Sequence, residues 1–112
     1  MNRWIQGLLI TLLILLMAPG LGNTAGSSEG AELFQQHCAA CHINGGNIIR
    51  RGKNLKLKAL ERQGIASVDA IAQIAWEGVG QMSGYGELLG PGGEQIVAEW
   101  IWEQAQKAWI QG

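Results

Sequence analysis

Five consecutive residues, Cys38-Ala39-Ala40-Cys41-His42, constrain this chain more than anything else in it. Two thiols three positions apart with an imidazole directly after the second form the pattern C-x-x-C-H, which reads as the attachment of a c-type haem. The spacing has a chemical reason. The thiols reach the two vinyl groups of one porphyrin, and the adjacent imidazole then lies under the iron as its proximal ligand. A thioredoxin-type redox pair, a structural disulfide and half of a zinc site share the cysteine spacing. The redox pair belongs with a βαβ pattern, which the chain lacks, and a zinc site wants a second pair of ligands. A disulfide does not call for histidine after the second cysteine. One covalent haem on Cys38, Cys41 and His42 is therefore the expectation.

Chain length sharpens it. At 112 residues there is room for one domain. The chain opens Met1-Asn2-Arg3, with one positive charge, and continues with an apolar run over residues 5–17 broken only by Gln6, Gly7 and Thr11. Small residues follow over 18–28. This is the layout of a secretory signal, with a charged start, a short apolar stretch and a small-residue cleavage zone. The run is shorter than the roughly 20 residues of a spanning helix, and an uncleaved N-terminal anchor is the rival. The expected division is a signal peptide over residues 1–25, with Gly22 and Gly26 as rival cleavage points, and a functional domain over 26–112. About 86 residues would be marginal on an apolar core alone. A large, mostly apolar and covalently held cofactor would supply the missing interior.

Net charge, −1 at neutral pH, hides an asymmetry. Arg50, Arg51, Lys53, Lys56, Lys58 and Arg62 stand against Glu61 alone, whereas Asp69, Glu77, Glu87, Glu94, Glu99 and Glu103 follow with no Lys or Arg among them. Such a dipole steers partners more than it shapes a fold. The basic run is too short, and the whole too near neutral, for a nucleic-acid binder.

Periodicity predicts helices and no strand. The first helix is expected over residues 28–39, with Leu33, Phe34, His37 and Cys38 at i, i+3 and i+4 spacings. A glycine-rich basic loop covers 43–54 and a short helix 55–62. Ser67 is a candidate N-cap for a helix over 68–77 that Gly78 ends, with Val68, Ile71, Ala72 and Ala75 as its buried stripe. Residues 78–93 are glycine-rich and read as a loop. Pro91 suits the first turn of a last helix reaching Trp109, with Val97, Trp100, Ile101, Ala105 and Ala108 on one stripe.

A haem with one histidine either takes a second axial ligand or stays open. Met1 and Met17 fall in the expected signal, so Met82 is the one methionine of the domain. It lies forty positions past His42 inside Gly80-Gln81-Met82-Ser83-Gly84-Tyr85, and a loop is what lets backbone fold over the distal haem face. Core packing is the alternative for Met82. His37 adjoins an attachment cysteine, cannot reach the opposite face, and is expected to be a partly exposed helix residue. A thioether on iron raises the reduction potential relative to two imidazoles.

From Gly30 onward the chain resembles the class I cytochromes c, and most closely the cytochrome c6 group of cyanobacteria and algae. Gly30 and Phe34 resemble the glycine and aromatic of that family's first helix, and the haem motif carries the same two alanines. Asn47 falls where the family has an Asn after the haem, Lys53-Asn54-Leu55 resembles its Lys-Thr-Leu, and Gln73 matches a glutamine beside the haem. Gly80-Gln81-Met82 resembles Gly-Ala-Met of the distal loop, and Val97-Ala98-Glu99-Trp100-Ile101-Trp102 resembles Val-Ala-Glu-Tyr-Val-Phe of the last helix. The chain departs from the family in three places. Ser83 replaces the proline after the ligand. The proline before Lys-Thr-Leu is missing, so another carbonyl near Arg51 is expected to serve the proximal imidazole. Leu88 stands where the group has an arginine that helps docking to photosystem I, which points to a c6-like side branch.

The resemblance implies a small all-α fold, about four helices around one haem c, with Phe34 and Trp100 packed where the first and last helices cross. It implies Cys38 and Cys41 as attachment points, His42 and Met82 as axial ligands, and Asn47, Lys53 and Gln73 in the haem environment. It further implies a soluble, monomeric one-electron carrier in the thylakoid lumen or periplasm, with no substrate chemistry. The cytochrome b6f complex (cytochrome f) would be its donor and photosystem I or a cytochrome oxidase its acceptor. Arg50, Arg51, Lys53 and Lys56 are the expected docking patch. A gas-binding or peroxidase haem protein, and a membrane-anchored cytochrome subunit, are the alternatives.

Overall fold

A computed structural model describes residues 22–110, with side chains from residue 28 onward. Most of the expected signal segment, residues 1–25, lies outside the described residues. Helix α1 spans Gly22–His37, followed by a 3-10 turn at Ile43–Gly45, α2 at Leu57–Arg62, α3 at Val68–Glu77, α4 at Gly86–Leu89 and α5 at Gly93–Gln106. Between α3 and α4 the two-residue strands β1 (Gly78–Val79) and β2 (Met82–Ser83) pair antiparallel. The fold is all-α apart from that short ladder, with five described helices where about four were expected.

Helix α3 matches its expected bounds because both ends are written in side chains. Ser67 Oγ accepts the Ala70 N–H at 3.1 Å, satisfying one of the first-turn donors a helix leaves open. Gly78 ends it at φ +81°, a conformation that favours glycine. Ile71, Ala72 and Ala75 are buried and Val68 half-buried, as the stripe predicted. Helix α1 begins six residues earlier than expected. Its Gly/Ser start is weak in propensity, but nothing there forbids helical backbone, and propensity is only a weak prior.

The core forms where α1 and α3 pack against α5, from Phe34, Leu60, Ile71, Val97 and Ile101 among others. Gly30 sets the α1–α5 crossing: a Cβ there would lie 2.6 Å from Trp100 Cβ and 3.0 Å from the Ile96 carbonyl. That close approach lets Phe34 meet Trp100 with ring centroids 4.9 Å apart, in agreement with the expected crossing.

The end of α5 departs from expectation. The helix stops at Gln106, and Pro91 precedes it rather than entering its first turn, because Gly92 at φ +73° turns the chain first. Beyond Gln106 the Ala108 N–H donates to the Ala105 carbonyl (3.2 Å) and the Trp109 N–H to the Gln104 carbonyl (2.8 Å). This is a Schellman closure, with Ala108 and Trp109 at φ +55° and +60°. Backbone reversal carries Ala108 out to solvent and turns Trp109 in, so Trp109 rather than Ala108 completes the buried stripe.

Candidate haem site

The motif residues sit where α1 runs out. The Cys38 N–H donates to the Phe34 carbonyl, and the His42 N–H to the Cys38 carbonyl at 3.0 Å. The motif is thus wound as one more turn, which puts positions 38 and 41 on neighbouring points of one face. Both cysteines are unpaired, Cys38 half-buried and Cys41 exposed. Burial first, and the neighbouring Cys41 second, push the Cys38 thiol up to about 11. Cys38 is a neutral thiol at neutral pH.

His42 is buried, and its Nδ1 lies 2.7 Å from the Gly46 carbonyl. A carbonyl only accepts, so Nδ1 carries a proton, which in the neutral ring leaves the Nε2 lone pair free as a metal-ligating imidazole needs. The partner is Gly46, not a carbonyl near Arg51: the 3-10 turn brings the chain back to the imidazole four residues later, before the basic run begins. Two free thiols on one face with a buried imidazole beside them, its Nδ1 held by a carbonyl, fit a covalent haem.

Met82 is half-buried on β2, opposite Val79. Its loop is built on glycine. At Gly78, at φ +81°, a Cβ would stand 2.5 Å from the Met82 carbonyl oxygen, so only glycine admits the ladder. The Tyr85 N–H donates to the Ala75 carbonyl at 2.8 Å, anchoring the loop to α3. Tyr85 then meets His37, ring centroids 6.0 Å apart. That contact brings the methionine loop beside the haem motif. His37 is half-buried, as expected, but its pairing with Tyr85 had no signal in the sequence.

Asn47 braces the intervening loop. Its Oδ1 accepts the N–H groups of Ile49 (3.0 Å) and Arg50 (2.8 Å), and its Nδ2 donates to the Lys53 carbonyl (2.9 Å). Lys53, Arg50, Arg51 and Lys56 are exposed, and none takes part in an ion pair among the described residues. Gln73 is exposed on α3 with its amide 3.4 Å from a Glu77 carboxylate oxygen. A groove of about 670 Å³ lies next to the motif, lined by Phe34, Ala39, Ala40, Ile43, Trp100 and Trp109 among others. It touches neither cysteine, His42 nor Met82, so it is not the ligand-bearing cleft.

Helices crossing at Gly30, the wound C-x-x-C-H turn and a methionine loop alongside it define a class I c-type cytochrome. A family model described as cytochrome c oxidase, cbb3-type, subunit III matches residues 25–101. The cytochrome c6-like protein of Nostoc sp. (strain PCC 7120 / SAG 25.82 / UTEX 2576) is 41% identical over 111 residues, 97% of this chain and 99% of that protein. The crystal structure of cytochrome c6B from Synechococcus sp. WH8102 superposes with a TM-score of 0.73 at 71% identity, covering 75% of this chain and 96% of that one. Cytochrome c6C from Synechococcus sp. PCC 7002 does so with a TM-score of 0.67 at 48% identity, covering 70% and 96%. The chain belongs to the cytochrome c6 family, within the c-type haem domain that the family model spans. It carries one covalently bound haem c and is an electron-transfer protein, not an enzyme.

Proposed function

We propose that this protein is a soluble one-electron carrier whose haem is attached through Cys38 and Cys41 and whose iron is held by His42 and Met82. The observation that carries the reading is the His42 Nδ1 to Gly46 carbonyl bond at 2.7 Å, which keeps Nε2 as a ligand. When bound, the haem supplies an iron that changes oxidation state by one electron. His42 orients and holds its proton on Nδ1 throughout. Met82, on a loop tied to α3 by Tyr85, would hold the iron together with His42 and keep water and gases from it. With both positions filled, little has to rearrange between oxidation states.

The exposed Arg50, Arg51, Lys53 and Lys56, with Ile48 and Ile49 exposed beside them, support transient docking to an acidic partner. By resemblance, donor and acceptor are the cytochrome b6f complex (cytochrome f) and photosystem I or a cytochrome oxidase. The chain acts as a monomer in the thylakoid lumen or periplasm once residues 1–25 are removed. No helix among the described residues is long and apolar enough to cross a membrane. The match to an oxidase subunit model favours, as a second reading, an anchored subunit that keeps its N-terminus. Mass spectrometry of the native N-terminus separates the two.

Spectroscopy and carbon monoxide test the ligand set. The oxidised protein is expected to show the near-infrared sulfur-to-iron charge-transfer band, and the reduced protein to bind carbon monoxide hardly at all. Met82→Ala should lose the band and bind the gas. Met82→His should lower the potential by a sizeable part of the ~0.8 V that axial ligands span. An unmodified protein that lacks the band and binds carbon monoxide avidly would make Met82 a packing residue and favour gas binding or peroxidase chemistry.

A further inference from the structure

We propose that Trp109, far from His42 in sequence, is a positioning residue for the proximal imidazole. The inference rests on His42 being the proximal ligand, as proposed above. The Gly46 carbonyl that accepts the His42 proton follows Gly45, and two adjacent glycines have little local preference to hold a carbonyl in one place. The Gly45 and Gly46 N–H groups donate inside the turn, to the His42 and Ile43 carbonyls at 3.0 and 2.9 Å, and Gly45 is at φ +76°. What holds the turn as a whole against the rest of the molecule therefore comes from groups packed on it.

Those groups lead to Trp109. The Leu55 N–H donates to the Gly45 carbonyl at 2.7 Å. The Leu55 carbonyl in turn accepts the Trp109 indole N–H at 3.1 Å. The indole lies flat against Gly45, where a Cβ would fall 2.3 Å from the ring. One side chain therefore grips the loop at both ends, by ring contact at Gly45 and by hydrogen bond at Leu55. The Ile48 N–H, on the Cys41 carbonyl at 3.0 Å, is a further tie, but it does not reach Gly45 or Gly46.

Trp109 is itself closely packed. It is 6% exposed, with Phe34 at 5.4 Å and Trp100 at 5.7 Å between centroids, and the Schellman closure fixes its backbone. A hydrogen bond from Nδ1 to a well-held carbonyl makes the imidazole a stronger donor and stabilises oxidised iron. Loosening the carbonyl removes part of that stabilisation, and the potential rises.

The test uses the haem-loaded protein. Trp109→Phe keeps an aromatic ring and deletes the N–H. It should shift the oxidised-to-reduced ratio by roughly two- to tenfold toward the reduced form, tenfold being ~59 mV for one electron. By NMR of the reduced protein, the His42 Nδ1 proton should exchange with solvent at least about tenfold faster. Trp100→Phe, in the same aromatic cluster, should lower the melting temperature while leaving both readouts alone. A Trp109→Phe protein with a lower melting temperature but unchanged potential and exchange would overturn the proposal and make Trp109 a packing residue only. Should that variant not take up haem, the unmodified protein decides. The indole proton and the Nδ1 proton should be protected alike, and an indole proton exchanging far faster would overturn it. If His42 ring protons lack the haem ring-current shift, the ligand reading itself fails, an outcome distinct from the others.

Discussion

Asn47 turns both sides of its amide to the backbone of one loop, receiving Ile49 and Arg50 and donating to Lys53. An alanine there would leave two N–H groups and a carbonyl to find water in a half-exposed loop, so the cost is a net one, about 1–2 kcal/mol. Asn47→Asp keeps the acceptor and should recover most of it. Thermal unfolding of the haem-loaded variants reads the difference, and equal losses from both would assign the effect to the Nδ2 donor instead. At this scale the sequence speaks where a side chain is expected to carry the chemistry. The C-x-x-C-H motif is contiguous, and Met82 is the one methionine past the expected signal. The proximal acceptor was invisible by the same logic, since a backbone carbonyl can come from any residue. The absence of the family's proline pointed to Arg51, whereas the turn at Ile43–Gly45 delivers Gly46.

Helix α3 and the tail of α5 show what makes an element legible. Ser67 and Gly78 announce the ends of α3 through a hydroxyl and a positive φ. The Schellman closure of α5 lacks its usual glycine, with Ala108 standing at φ +55°, so periodicity alone carried the helix on to Trp109. The twist of that closure exchanges the faces of residues 108 and 109, which periodicity cannot register. An L-residue in the left-handed region costs roughly 1–2 kcal/mol, partly offset by the greater freedom glycine has when unfolded. Ala108→Gly should therefore stabilise the protein by about 0.5–1 kcal/mol. For a domain of this size that raises the melting temperature by a few degrees. A fall would show that the Ala108 methyl group makes a contact worth more than the strain.

Over the whole molecule, charge is sorted along the chain, with the basic run in the loop and α2 that follow the motif and the acids from α3 through α5. Exposed charges steer an encounter over distances set by the Debye length, ~10 Å at 0.1 M salt, and act on association rate more than on affinity. Electron transfer with an acidic partner should slow as salt rises. Replacing Arg50 and Arg51 by Gln should flatten that dependence in stopped-flow measurements, and a salt profile identical to that of the unmodified protein would make the basic run an ordinary solvated loop. Finally, α1 meets α5 at Gly30, and Gly45 rests on Trp109. A chain threaded from its N-terminus presents Cys38, Cys41 and His42 well before Trp109, the ring that packs on the loop after them. Until Trp109 arrives Gly45 has no ring to rest on, so the order in which the polypeptide emerges itself provides an interval for loading the cofactor before that loop is held.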